Sequence, residues 1–293
     1  MNAPTHFTRF AAIDWSGAKG ERQRGIAIAM CELGDDAPVL IPPPGRAWSR
    51  AQAREWMLDQ ATNASPTLIG LDLSPALPFD DAGCYFPEWD ETPADARRLW
   101  KLVDAMSAED PHEAAISFLR HPEVSRHFRI QQIAGDLFPG GRGRLRLCEE
   151  RQRDMQLLPS SCFNLVGPAQ VGKSSLTGMR VLHQLGGRLP VWPFDAAPSA
   201  GPLIVEIYTS LAAREAGLPR GRSKMRDASS LADALRKLGV TQDHAPLARY
   251  DDHATDAILT AAWMRRNAQS AALWNPAGLD KVASTEGWTF GVS

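Results

Sequence analysis

Two compact apolar runs open the chain, RFAAIDW (9–15) and GIAIAM (25–30), separated by the polar stretch SGAKGERQR. Runs of this length, with Gly17, Gly20 and Gly25 punctuating the gap, predict two strands joined as a hairpin. VLI (39–41) predicts a short third strand, stopped by Pro42, Pro43 and Pro44. Helical spacing then runs from about Arg50 to Thr62, with Ser49 placed to cap it and Trp56 and Met57 toward the core. TLIGLDLS (67–74) is an almost unbroken apolar run ending in an acid, the pattern of a central strand covered on both faces.

From Pro78 to Pro190 the pattern becomes irregular and aromatic. Pro93 to Met106 has helical spacing, as does His112 to Leu119. CFNLV (162–166) reads as a short strand, and SSLTGMRVLHQL (174–185) as a helix carrying Leu176, Met179, Val181, Leu182 and Leu185 to one side. The strand pattern resumes at PLIVEIYTSL (202–211), followed by helices over Ser229–Leu238 and from Asp251 to about Ala268. This order predicts an α/β fold, a mixed sheet flanked by helices, whose first strands pair as a hairpin. It has a long insertion, about residues 79–190, between the fourth and fifth strands. Residues 1–293 read as a single domain with its core at about 7–78 and 190–293.

Composition narrows the functional classes. At 293 residues and 44% hydrophobic, the chain can bury a proper core. A net charge of −2 provides no overall field to recruit nucleic acid, so any such affinity rests on local clusters. Cys31, Cys84, Cys148 and Cys162 stand far apart, which excludes a zinc ribbon and a dense disulfide framework. The N-terminus lacks the charged start and apolar core of a secretory signal. No run approaches the ~18 apolar residues of a membrane span. The expectation is a cytoplasmic protein without membrane association.

GPAQVGKSSL (167–176) fits the phosphate-loop pattern G-x-x-x-x-G-K-[ST] letter for letter. In that motif backbone N–H groups cradle phosphate, the Lys reaches the terminal phosphates and the hydroxyl holds Mg²⁺. Its position argues against that use. It falls past the midpoint of the chain, and the next apolar strand carries Glu206 where a phosphate-loop protein needs an Asp. Lys173 is therefore expected to be dispensable, and ATP to be neither bound tightly nor hydrolysed.

The acids form a more coherent pattern. Asp14 ends the first strand, Asp72 lies in the fourth, Glu206 in the fifth, and Asp252 and Asp256 share one face of the last long helix. A carboxylate among apolar residues is costly unless it is paired or binds a cation. Each has a bland alternative: Asp14 as a turn cap beside Ser16 and Gly17, Asp252 as a helix N-terminal acid, a role Asp251 fills better. Strand interiors rarely spend apolar positions on acids, so Asp72 and Glu206 are harder to dismiss. Convergence on Mg²⁺ or Mn²⁺ would account for all five, and hard oxygen ligands suit those ions. Two such ions about 3.5–4 Å apart can activate water and stabilise a leaving oxygen in phosphodiester cleavage.

A first-strand Asp leading into a hairpin, an acid on the fourth strand and an acidic last helix resemble the ribonuclease H-like superfamily. More narrowly, the chain resembles the predicted RNase H-like nucleases of domain-of-unknown-function family 429. The resemblance is carried by AAIDWSGAKG, LIGLDLSPALPF, CFNLVGPAQVGKSSLTGM, LIVEIYTS, DDHATDAILTAAW and EGWTFGV, spread from residue 11 to 292. It implies an RNase H-like sheet and a metal-dependent nuclease with Asp14, Asp72, Glu206, Asp252 and Asp256 as catalytic ligands. It also implies that the G-x-x-x-x-G region belongs to a loop and helix in which a lysine is unusual.

Two basic segments are candidates for holding a nucleic-acid backbone: Arg142, Arg144 and Arg146, extended by Arg151 and Arg153, and Arg220, Arg222, Lys224 and Arg226. Solvated faces paired with acids are the alternative. Tyr85, Phe86, Trp89, Trp100 and Phe118 read as core before they read as base-stacking platforms. His112, His121, His127 and His183 lack ligand spacing, and His253 is set on a different helix face from Asp252 and Asp256. Glu286 either returns to the site as an outer ligand or belongs to a closing tail packed through Trp288 and Phe290. Two rival functions remain open: a nucleotide-dependent phosphotransferase using the GPAQVGKS loop, and a non-catalytic nucleic-acid or protein-binding module.

Overall fold

The structure, a computed structural model, describes residues 3–166, 171–219 and 224–293. Its centre is a five-stranded sheet of β1 (Arg9–Asp14), β2 (Ala27–Glu32), β3 (Val39–Leu40), β4 (Thr67–Asp72) and β5 (Leu203–Glu206). The strands lie in the order β3-β2-β1-β4-β5. β1 runs antiparallel to β2 and parallel to β4, and β4 runs parallel to β5. The three parallel strands therefore end on the same edge. In the β1–β4 register Asp14 stands opposite Asp72.

Seven helices of seven or more residues accompany the sheet among the described residues: α1 (Arg50–Thr62), α2 (Ala96–Met106), α3 (Leu147–Asp154), α4 (Val171–Gln184), α5 (Thr209–Glu215), α6 (Ala228–Lys237) and α7 (Asp252–Asn267). None is long and apolar enough to cross a membrane. α1 has the expected bounds for the expected reason. Ser49 accepts from the Gln52 N–H and Gln52 reaches back to the Ser49 N–H, a capping box. Asp251 caps α7 by accepting from the Ala254 N–H, taking the bland role expected of it.

Strand alternation divides the core in two. Phe10, Ala12, Leu68, Leu203 and Val205 pack with Ala257, Ala261 and Met264 of α7. Ile13, Ile69, Leu71 and Ile204 pack on the opposite face with Met57 of α1, Trp100 of α2 and Leu176 and Met179 of α4. Gly70 shows how tightly the first layer fits. A Cβ there would meet the Met264 sulfur at 2.7 Å, so only glycine lets α7 close on β4.

Several boundaries differ from the sequence reading. The strand expected to run to 211 stops at Glu206, and Thr209–Glu215 is helical, burying Leu211, Ala212 and Ala213. CFNLV is not a strand of the sheet; only Asn164 makes a bridge, to Arg129. His112 and Glu113 have φ of 58° and 53°, which breaks the helix expected over 112–119 into a single turn and Ile116–Arg120. The basic segment over 138–153 contains an unpredicted helix, α3. Tyr85, Phe86, Trp89, Trp100 and Phe118 are all core, as expected.

Candidate active site

Asp14 and Asp72 close the C-terminal ends of adjacent parallel strands. Alternation from Phe10 and Ala12, and from Leu68 and Gly70, turns both acids to the α7 side. There Asp256, one turn into α7, completes a group of three. Asp72 feels both of the others, and Asp256 feels Asp14. Burial raises Asp72 well above the usual carboxylate range, and the charges of Asp14, Asp256 and Glu206 push it further. Burial likewise lifts Asp256 to about 7, with Asp14 and Asp252 adding to the effect. Asp14 is raised by burial, although His253 opposes the shift.

His253 is the residue the sequence reading set aside. Its Nδ1 lies 3.2 Å from Asp14 Oδ1, a contact that raises the histidine's own pKa despite partial burial. The signal was available: His253 and Asp256 are i, i+3 on α7 and so neighbours on its surface.

Two of the five expected ligands are occupied elsewhere. Glu206 has the alternation of Ile204, not of Val205, and its carboxylate meets Arg146. Arg146 donates to it from Nη2 at 2.5 Å and from Nη1 at 2.8 Å, and Thr289 Oγ1 donates at 2.7 Å. Arg146 itself is fully buried, with Nε on Glu149 at 2.9 Å and Nη2 on Ser74 Oγ at 3.0 Å. A buried ion pair with every partner satisfied is a structural clamp, not an open ligand set. Asp252 is paired with Lys224 and, at 2.8 Å, with Arg226.

The basic candidates divide accordingly. Arg144 forks onto Asp81 and donates to the carbonyls of Tyr85 and Cys84, while Arg146 belongs to the Glu206 clamp. Neither presents itself as a surface phosphate contact, because Arg144 is held by Asp81 and two carbonyls and Arg146 by buried Glu149 and Glu206. Lys224 and Arg226 neutralise Asp252. Arg142 is exposed, and Arg220 and Arg222 lie outside the described residues. Glu286 is likewise structural, accepting from the N–H groups of Phe79, Asp80 and Leu147 while Trp288 and Phe290 anchor the tail.

In front of Asp72 lies a cavity of about 530 Å³ at the C-terminal ends of β1, β4 and β5. In open α/β sheets this edge is where ligands bind, because side chains and loops converge there without interrupting the ladder. Asp72 and His253 reach its wall, as do Lys19 of the β1–β2 hairpin and Lys173 and Ser174 of α4. The first four residues of the GPAQVGKS loop lie outside the described residues, but its lysine and serine thus share the cavity with Asp72.

Divalent metal is the group this acid set would take. Among the described residues, no His, Cys, Asp or Glu group of three or more is already arranged to hold an ion. The donor chemistry nevertheless fits. Asp72 receives the Thr209 backbone N–H, and its neighbours Asp14, Asp256 and Glu206 are all acids. Acids crowded together are the arrangement that a hard divalent ion relieves. The chain matches no protein-family model, no curated protein and no solved structure.

Proposed function

We propose that the chain is an RNase H-like, metal-dependent hydrolase of nucleic-acid phosphodiester bonds. The observation that carries this reading is the placement of Asp14, Asp72 and Asp256: three buried or half-buried acids on two paired strands and the helix across them, with Asp72 on the wall of a cavity. The strand order β3-β2-β1-β4-β5 supports the RNase H-like part, as does the long β4–β5 segment that supplies most of the cavity wall.

Asp14 and Asp72 would hold the ion, with Asp256 as the third carboxylate. When bound, Mg²⁺ or Mn²⁺ supplies the positive charge that eases deprotonation of water and offsets charge building on the phosphate. The residues of the chain do the remaining work. His253 leans on Asp14 and fixes its orientation. Arg146 pairs with Glu206 at the cavity wall and offsets its charge there, leaving Asp72 as the aspartate that lines the cavity. Apolar residues around the cavity limit water, which strengthens each electrostatic contact inside it.

Asp14→Asn tests the assignment, since it keeps shape and removes charge. Cleavage of nucleic acid with Mg²⁺ or Mn²⁺ is expected to fall at least about 10²-fold. Melting temperature without metal should stay equal or rise. Unchanged cleavage would remove Asp14 from the chemistry and return it to the role of turn cap.

One observation favours a second reading, nucleotide-dependent phosphotransfer: Lys173 and Ser174 line the same cavity as Asp72. Saturable ATP binding that disappears in Lys173→Ala would put this reading first. Against it, the segment before the loop is no strand of the sheet, so the strand–loop–helix geometry of a phosphate loop is missing.

A further inference from the structure

The cavity beside Asp72 has a definite size and a mixed wall. Its volume, about 530 Å³, falls in the range of roughly 300–1,000 Å³ in which pockets enclose one small molecule. Ile116, Leu119 and Leu176 supply apolar surface; Lys19, Lys173 and Ser174 supply cations and a hydroxyl. An apolar wall suits the face of a base, and ammonium and hydroxyl groups suit phosphate oxygens. Asp72 stands where the phosphate would have to react.

The cavity does not run on as a groove between the sheet and α4. At Gly17 an added Cβ would fall 2.4 Å from the Lys173 carbonyl carbon and the Ser174 nitrogen, so hairpin and helix touch backbone to backbone. Trp15 Nε1 donates to Thr177 Oγ1 at 3.1 Å, and the Ser74 N–H donates to Ser175 Oγ at 3.1 Å. These contacts seal the seam along α4. A strand entering the cavity meets a wall there.

Resting on the hydrolase reading above, we infer that the cavity receives the terminal nucleotide of a single strand, so that cleavage proceeds from an end. The oxygen of water bonds to phosphorus, and the bond from phosphorus to the sugar oxygen breaks. That oxygen leaves with a proton, giving a free nucleotide and a strand one residue shorter. The interior of a strand needs a path open at both ends, and a duplex needs more room than one small-molecule pocket. Lys173, dispensable on the sequence reading, here holds the phosphate of the entering nucleotide.

The experiment compares one sequence as linear, end-labelled single strands and as closed circles, in DNA and in RNA, with Mg²⁺ and with Mn²⁺. Stepwise shortening of a linear strand with mononucleotide release, and intact circles, is the expected result. Circles opened at a rate comparable to linear strands would overturn the inference and leave the hydrolase reading standing. If neither form is cut in either nucleic acid, the hydrolase reading falls and this inference with it. Two variants probe the cavity on the linear substrate that is cut. Ile116→Trp fills the apolar wall away from the carboxylates, and should reduce end trimming at least tenfold while the Tm rise produced by Mn²⁺ persists. Lys173→Ala should raise KM about tenfold with kcat little changed. Trimming unaffected by the tryptophan would overturn the inference, and an unchanged KM would overturn the placing of the phosphate.

Discussion

Asp72 and Glu206 sit on paired strands, with Leu71 opposite Glu206 in the register, yet their surroundings differ in kind. Glu206 receives two nitrogens of Arg146 and the Thr289 hydroxyl. Asp72 receives one backbone N–H and faces Asp14 and Asp256. Both are acids in apolar strands, Glu206 buried and Asp72 half-buried, and both invite a functional reading from sequence. The difference lies in what burial has cost and what offsets it. On the Glu206 side a cation built into the chain offsets the desolvation. On the Asp72 side the offset is partial, from His253 beside Asp14 and the Thr209 N–H on Asp72, and neighbouring acids still raise Asp72 and Asp256. On the proposed function, this is the group that would take a cation from outside.

The clamp should respond most strongly to mutation. Arg146→Met leaves Glu206 and Glu149 buried without their partner, and breaking a buried pair in this way costs about 3–5 kcal/mol. Denaturant unfolding should show that loss, and added Mg²⁺ should not restore it. The opposite sign is expected at Asp72→Asn. Removing one of three repelling charges should raise metal-free stability at pH 7.5 by about 1 kcal/mol or more, since a tenfold change in proton affinity corresponds to roughly 1.4 kcal/mol. The stabilisation by Mn²⁺ should vanish in the same variant. If Arg146→Met gained stability and Asp72→Asn lost it, the comparison would be inverted.

Much of the sheet was legible because it depends on local pattern. The hairpin strands, the Asp14 and Asp72 strand ends and the capped helix over 50–62 all follow from alternation, turn glycines and a capping box. The Glu206 clamp was not legible, because its partner lies 60 residues away in an arginine-rich stretch that reads as a solvated or phosphate-binding face. Only the fold decides which of Arg142, Arg144 and Arg146 turns inward. His253 was missed differently, by weighing its offset from Asp252 rather than its i, i+3 relation to Asp256. The early end of β5 was hidden because the Ile207–Leu211 run satisfies strand and helix patterns equally, and packing of Leu211 and Ala212 into the α7 layer chose the helix.

Acidity offers a finer way to separate the two regions. The Asp256 carboxyl is raised to about 7 by burial and by neighbouring acids. A raised folded-state pKa means that the folded protein binds the proton more tightly than the unfolded chain. Its stabilising effect is complete below about pH 4, the ordinary carboxylate value, and is lost as pH rises through about 7. Asp256→Asn removes this dependence. Without divalent ions, the stability of the variant relative to the unmodified protein should therefore climb between pH 4 and pH 8, and excess Mn²⁺ should shrink the climb. Parallel pH profiles would mean that Asp256 does not share the charge of the group.

The smallest effect is expected at Asp252, which tests where the acid group ends. Asp252 belongs to the same helix face as Asp256, and from sequence both carry the same expected role. In the structure it is tied to Lys224 and Arg226, whose side chains are more than half exposed. Ion pairs of that kind contribute about 0–1 kcal/mol, because water already screens the cationic partners. Asp252→Asn should accordingly shift stability by no more than about 1 kcal/mol, in the destabilising direction, with the difference fading in 1 M salt as screening removes what the pairs contribute. The Mn²⁺-induced rise in Tm should be retained. Loss of that rise would show that Asp252 leaves its lysine and arginine to join the metal ligands, and would move the boundary of the open acid group outward by a full turn of α7.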